Sequence, residues 1–300
     1  MNMTNSTSMS LPTVTEISAG ARLRKRIFGQ SSLLIGGGIL LLLILVAIFA
    51  PLLATHDPYV QDLTQRSLPP LWYPKGTFEH VLGTDNLGRD YYSRLVYGTR
   101  ISLLIGLSVM VISGIIGSAL GLLAGYFGGR TDLVVTFIVT TRLAMPVMLV
   151  ALAVVALFGG SLPIIILVLG LLKWDRFAVV MRSATQQARA MDYVTSAQAI
   201  GASTPRIILG EVLPNVLPHL IVVATLEAAS AILLEASLSF LGLGVQPPIP
   251  SWGLMISEAK NYMFFAFWMI ALPGTLLGIL VLAINLTGDG LRDIFAPEER

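Results

Sequence analysis

The chain has 300 residues, 55% of them hydrophobic and 12% charged, with a formal net charge of +2. A soluble domain carries roughly 25% charged residues. With a mean hydropathy of +0.79, this chain is built for lipid, with room for one membrane domain and none for a soluble catalytic domain. It has no cysteine, which excludes disulfides, thiolate metal sites and cysteine nucleophiles.

The N-terminal stretch MNMTNSTSMSLPTVTEIS is polar and is expected to be disordered. Arg22, Arg24, Lys25 and Arg26 follow, and then an apolar run from Leu33 to Leu53. A signal peptide has about 7–15 apolar residues, whereas a span needs about 20, so the run reads as an uncleaved anchor. Further apolar segments lie at about 101–125, 133–158, 161–173, 216–242 and 265–286, which makes six predicted spans. The fourth is short, because Lys173-Trp174-Asp175-Arg176 follows at once; whether a helix continues past those charges stays open.

Lysine and arginine gather on the cytoplasmic side of membrane proteins. An inside N-terminus puts Arg22, Arg24, Lys25, Arg26, Arg130, Lys173, Arg176, Arg182, Arg189, Arg206, Arg292 and Arg300 within the cytoplasm. Arg66, Lys75, Arg89, Arg94, Arg100 and Lys260 then lie outside, and Arg142 falls in the third span. That asymmetry predicts cytoplasmic termini. The expected organisation is a cytoplasmic tail over 1–32, an anchor over 33–53 and an extracytoplasmic segment over 54–100. A core of five spans over 101–292 follows, carrying a polar cytoplasmic loop at 182–215, and then a cytoplasmic tail over 293–300. Gly106, Gly114, Gly117, Gly121 and Gly125 on the second span are small residues that let membrane helices approach closely. Packing within the chain is favoured over a dimer interface.

The polar loop contains TSAQAIGASTPRIILGEVLPNVLP, residues 195–218. Tyr193, Ala197 and Ile200 share one face of a short helix. Gly201 is its expected C-terminal stop. Thr204 is the expected N-cap of a second short helix, with Pro205 at its first position. That helix is predicted over Arg206 to Leu213, with Pro214 and Pro218 marking entry into the fifth span. Ser196, Ala197 and Ala199 give the first helix a small-residue face suited to a groove on another protein. The alternative is an amphipathic helix lying on the membrane surface.

This pattern resembles the cytoplasmic "EAA" loop of ABC importer permeases. Thr195-Ser196-Ala197, Gly201 and Val212-Leu213-Pro214-Asn215 take the motif positions; Thr195 stands where the glutamate is usual and Ser196 where the first alanine is. LGTDNLGRDYYSRLVYGTRISL (82–103), GLLAGYFGGRTD (121–132), EASLSFLGLGVQPPIPSWGLMI (235–256) and NLTGDGLRD (285–293) are similar to the C-type subunit of the dipeptide/oligopeptide subfamily. The resemblance runs from about residue 22 to 297. It implies an all-α type I importer permease fold in a prokaryotic inner membrane. It also implies a second homologous permease, two ABC ATPase subunits and an extracytoplasmic solute-binding protein. Thr195, Ser196, Ala197, Ala199, Gly201, Ala202, Thr204 and Pro205 would then form the ATPase-coupling loop. Subfamily solutes include dipeptides, oligopeptides, glutathione, nickel complexes, opines and sugars, with peptide the first expectation.

Ionisable residues within a span are functional hypotheses by default. Arg142, Glu227 and Glu235 qualify. One reading places Arg142 in the translocation cavity, against one of the glutamates or an anionic part of the solute. The other is a structural ion pair, or contact with the partner permease. Pro247, Pro248, Ser251 and Trp252 belong to an outer stretch that breaks regular structure, near the gate in the family; the alternative is a rigid connector anchored at the interface by Trp252.

No glycine is followed directly by lysine, so no P-loop binds ATP here, and partner ATPases would hold ATP and Mg²⁺. His56, His80 and His219 are scattered with no metal-ligand spacing, and His56-Asp57 reads as a solvated pair. No catalytic residues, metal site or nucleic-acid contact is expected. An ion-coupled secondary transporter using the three charges, or a non-transporting scaffold, are the competing classes. No convincing internal repeat supports the former, and the latter leaves the helix–glycine–helix corner unexplained.

Overall fold

The computed structural model describes residues 28–295. The polar N-terminal stretch with Arg22, Arg24, Lys25 and Arg26, and residues 296–300, lie outside the described residues. Within them the chain is helical, and the one β interaction is an isolated bridge between Thr84 and Asp90.

Helix α1, Ser31–Ile48, is followed by a single helical turn at Ala50–Leu53 with Pro51 near its start. Helix α2, Tyr91–Phe127, begins well before the apolar run at 101. Asp90 is its N-cap, accepting the Ser93 N–H at 2.8 Å, and Gly128 at φ +66 ends it. Helices α3, Gly129–Leu143, and α4, Val147–Phe158, replace the single third span expected at 133–158. They are bent by 81°. Pro146 supplies no N–H and disfavours helical backbone at the residue before it, so the helix stops and restarts there.

Helix α5, Leu162–Leu172, stops at Lys173, and α6, Asp175–Arg189, restarts beyond it. Helix α7, Asp192–Ala199, is the first helix of the polar corner. The second does not end at Leu213. Helix α8, Thr204–Ile207, runs through a π turn at Ile208–Val212 into α9, Leu213–Phe240. Pro214 removes the donor that would bond Gly210, and a π turn accommodates such a loss without breaking the helix. Asn215 Nδ2 donates to the Glu211 carbonyl at 2.6 Å. The N-cap is Ser203, one residue earlier than expected, which puts both Thr204 and Pro205 in the first turn. Helix α10, Trp252–Ala259, caps the outer loop, and α11, Trp268–Phe295, returns.

By length and composition, four described stretches can cross a membrane: Ser31–Ile48, Tyr91–Phe127, Thr204–Phe240 and Trp268–Ile294. The bent α3–α4 pair is a fifth if its arms count as one. At 11 residues, α5 is too short alone.

The α2 glycines pack within the chain. A Cβ on Gly106 would meet Ile232, one on Gly121 would lie 2.8 Å from Met181 Cβ, and one on Gly125 would lie 2.6 Å from Thr185 Cβ. Gly170 faces Ile112, Gly117 faces Trp174 and Gly125 faces Thr185, so α5 and α6 follow α2 in the same direction. Gly36 lies against Ala283 and Thr287, and Gly290 against Leu33, so α1 and α11 run antiparallel. Lipid offers no hydrophobic drive between helices, and close backbone contact supplies the packing instead.

Candidate functional site: an exposed helical corner and buried charge clusters

The corner between α6 and α9 is shaped by backbone hydrogen bonds. Gly201, at φ +81, donates to Gln198 O at 3.0 Å, and Ala202 donates to Ala197 O at 3.0 Å. This is a Schellman termination, which needs a left-handed residue and favours an apolar contact across it. Ala197 and Ala202 supply that contact, beside fully buried Val194 and with Met181, Ile207 and Val212 beneath. The other face is turned out. Thr195, Ser196, Ala199, Gly201, Thr204 and Pro205 are exposed, and Ile200 is 85% exposed beside Tyr193 at 37%. Of the face predicted for Tyr193, Ala197 and Ile200, only Ala197 turns partly inward. Thr195, at the position usually held by glutamate, donates its Oγ1 to Asp192 O at 2.9 Å.

Arg142 meets neither glutamate. Its guanidinium donates to the Leu172 carbonyl at the end of α5, and to Met145 O at 3.4 Å. A cation at a helix C-terminus satisfies carbonyls that have no intrahelical partner, and here it fastens the α3–α4 break to α5. Glu227, 1% exposed, pairs instead with Lys173 at 2.8 Å and Arg176 at 3.3 Å. Lys173 Nζ also donates to Ser230 Oγ at 2.7 Å. The predicted pairing therefore fails, because the run read only as the edge of a short span supplies the cations.

Glu235, equally buried, meets no cation among the described residues. Its Oε1 accepts from Ser239 Oγ at 2.6 Å and Ser251 Oγ at 3.2 Å. Ser251 also accepts the Leu254 N–H and so caps α10. Glu235 thus joins the end of α9 to the outer loop. Pro247 and Pro248 are exposed, but Trp252 is fully buried, with Nε1 donating to Leu95 O at 3.0 Å. It is therefore no interfacial anchor.

A second outer cluster escaped the sequence reading. Arg89 Nε donates to Asp85 at 2.6 Å, Arg89 Nη2 to both oxygens of Glu258 at 3.0 Å, and Arg94 Nη2 to Glu258 at 2.8 Å. Asp85, Arg89 and Arg94 are all buried. The signal was the density of charge in TDNLGRDYYSR, but the acid that binds both arginines, Glu258, lies far away in sequence on α10. Nearby, His56 and His80 converge on Asp90, although 24 positions of sequence separate the two histidines.

The chain is thus a multi-pass helical membrane protein. It carries an exposed helical corner between α6 and α9, and Glu227, Lys173 and Arg176 pair within the chain. The fold resembles that of the inward-facing MetNI methionine ABC transporter, at a TM-score of 0.56 and 20% identity over 67% of this chain and 96% of that one. Residues 117–300 match the family described as the binding-protein-dependent transport system inner membrane component, and residues 18–70 match the N-terminal TM domain of oligopeptide transport permease C. The chain belongs to this family of ABC importer permeases and is a multi-pass inner-membrane protein. It is 45% identical to the di/tripeptide transport system permease protein DppC of Pseudomonas aeruginosa, over 87% of each chain. It is 40% identical to the dipeptide transport system permease protein DppC of Haemophilus influenzae, over 88% of this chain and 90% of that one. A DppC of Bacillus subtilis is 36% identical over 94% and 85%.

Proposed function

We propose that the chain is one of two homologous permeases in a six-span-per-subunit importer for dipeptides and short oligopeptides, driven by ATP held with Mg²⁺ on two partner ATPases. Both termini are cytoplasmic, and α5 with α6 forms the span that neither could form alone. An extracytoplasmic solute-binding protein delivers the peptide to the face carrying Pro247 and Pro248, beneath which Ser251 and Trp252 hold the loop. This chain breaks no bond; it forms half of the pathway and transmits the motion of the ATPases. The peptide assignment is supported by the relatives above, which are di/tripeptide and dipeptide transport permeases.

The observation that carries the coupling role is the corner itself, whose inner face is fixed by Val194, Ala197 and Ala202 while Ile200 stays 85% exposed. A helix held this way, with an apolar tip uncovered, fits a groove on another protein. Closing of the ATPases would push this corner, and α8 into α9, a continuous helix apart from its π turn, would carry the motion across the membrane. Glu227 with Lys173 and Arg176 is the charge group we place along the pathway, since Arg176 remains 65% exposed. Arg142 and Glu235 hold the walls.

The test is capture of the tagged complex from native membranes in mild detergent, with uptake of a labelled dipeptide measured in proteoliposomes. The expected result is ATP-dependent uptake, with ATPase subunits co-purifying in wild type and lost in Gly201→Arg. Uptake without ATP, or ATPases retained equally by Gly201→Arg, would overturn the coupling assignment. ATP-driven uptake of another solute but not of peptide would overturn the substrate alone.

A further inference from the structure

His56, His80 and Asp90 come from three separate stretches: the exit of the first helix, the loop behind it, and the N-cap of α2. Their donor atoms all lie within 4.8 Å of one another. Asp90 divides its carboxylate. Oδ2 accepts the Ser93 N–H at 2.8 Å, while Oδ1 lies 2.8 Å from His80 Nδ1 and 3.8 Å from His56 Nδ1.

The second nitrogen of His80 identifies what the first can do. Nε2 lies 2.7 Å from Gln65 Oε1. An amide oxygen only accepts, so Nε2 carries a proton, and Nδ1 is held against Asp90 Oδ1 at 2.8 Å by a second proton or by a metal ion in its place. A metal-bound histidine commonly has this arrangement, with one nitrogen on the ion and the other N–H given to a carbonyl or carboxylate. His56 Nδ1 lies 3.1 Å from Thr55 Oγ1, whose hydroxyl is also 3.4 Å from Asp90 Oδ2. Two imidazole nitrogens and a carboxylate oxygen thus gather within 4.8 Å of one another, and a positive centre among them would hold all three.

We propose that this triad binds a zinc-class divalent ion through His56 Nδ1, His80 Nδ1 and Asp90 Oδ1. Ligand bonds near 2.0–2.1 Å at tetrahedral angles put neighbouring donors about 3.3 Å apart. The separations of 2.8 and 3.8 Å to Asp90 Oδ1 straddle that value, and all three donors lie within 4.8 Å of one another, so closure draws the two imidazoles together around the carboxylate. Two imidazoles select zinc, nickel, cobalt or copper over magnesium and calcium, which prefer all-oxygen shells. His80 and Asp90 are buried, while the His56 side chain is 37% exposed, which gives the ion an entry. Bound there, it would tie the exit of the first helix and the following loop to the start of α2. The proposal is independent of the solute carried and of ATPase docking.

The test uses the full chain purified in detergent with a histidine-free affinity tag, stripped with chelator and titrated with Zn²⁺, and separately with Co²⁺ read by its visible absorption. The expected result is about one equivalent of Zn²⁺ per chain, visible Co²⁺ bands of a tetrahedral nitrogen–oxygen site, and no displacement by Mg²⁺. His56→Ala sits at the exposed edge and should fold normally, yet bind at least about tenfold more weakly and lose the Co²⁺ bands. His219→Ala, on the exposed start of α9, should match wild type. Equal binding by wild type and His56→Ala, or no Zn²⁺ retained by wild type, would overturn the site and leave a proton as the positive centre.

Discussion

The charge cluster around Arg89 and Arg94 and the corner around Gly201 treat polar groups in opposite ways. In the cluster, the charges are folded inward. Arg89 and Arg94 are 1% and 0% exposed, and Asp85 and Glu258 answer both within the same chain. Glu235 does the same for the Pro-rich loop through Ser239 and Ser251. The corner has no such closure: its polar residues face solvent, and Tyr193 and Ile200 are left exposed with them. The cluster finds its counter-charges within the chain, and the corner is the surface on which the docking proposal rests.

Removing Glu258 is the strongest way to break the cluster side of that contrast. Glu258→Ala leaves two buried guanidiniums sharing Asp85 alone, and losing one partner of a buried charge network costs about 3–5 kcal/mol. Thermal unfolding in detergent should show the largest drop of any change described here; a loss under about 1 kcal/mol would mean that Asp85 suffices. A smaller effect is expected from Gly121→Leu, where the added Cβ would lie 2.8 Å from Met181 Cβ and 2.9 Å from Arg182 N. Overpacking of this kind costs about 1–3 kcal/mol. Gly38→Leu, with nothing within 4 Å of its Cβ position, is the matched control and should leave the unfolding temperature unchanged.

The sequence disclosed the parts of the molecule governed by local rules. Gly201 as a helix stop follows from its freedom at positive φ, and the α2 glycines follow from the demands of helix packing in lipid. The partners of charged residues were not legible in this way. Arg142 and Glu227 are plausible mates by composition, yet the carbonyl end of α5 takes the first and the Lys173–Arg176 run takes the second. Which helices touch is decided by tertiary packing, and one sequence carries no record of it. The break at Pro146 was legible in principle, since proline ends a helix whatever its surroundings, but the apolar run masked it. Trp252 went the other way: tryptophan's preference for membrane interfaces was overruled by burial against Gly98 of α2, where its Nε1 reaches Leu95 O.

The mildest changes sharpen the corner side of the contrast. The corner's shape rests on backbone bonds from Gly201 and Ala202, whereas Ser203, the N-cap of α8, makes no side-chain capping bond. An N-cap whose hydroxyl is in use is worth about 1 kcal/mol; one whose hydroxyl is idle should cost less than about 0.5 kcal/mol on truncation. Ser203→Ala is therefore expected to keep both stability and ATP-driven uptake. Gly201→Ala should lie between the two. Nothing lies within 4 Å of its Cβ position, so the whole penalty is that of φ +81 for a residue with a side chain, about 1 kcal/mol. Comparing the three substitutions separates shape from contact. If Gly201→Ala loses stability by that amount but retains its ATPases while Gly201→Arg releases them, the glycine is needed for close approach by the partner as well as for the turn. If Gly201→Ala releases them too, the turn itself is what the partner reads.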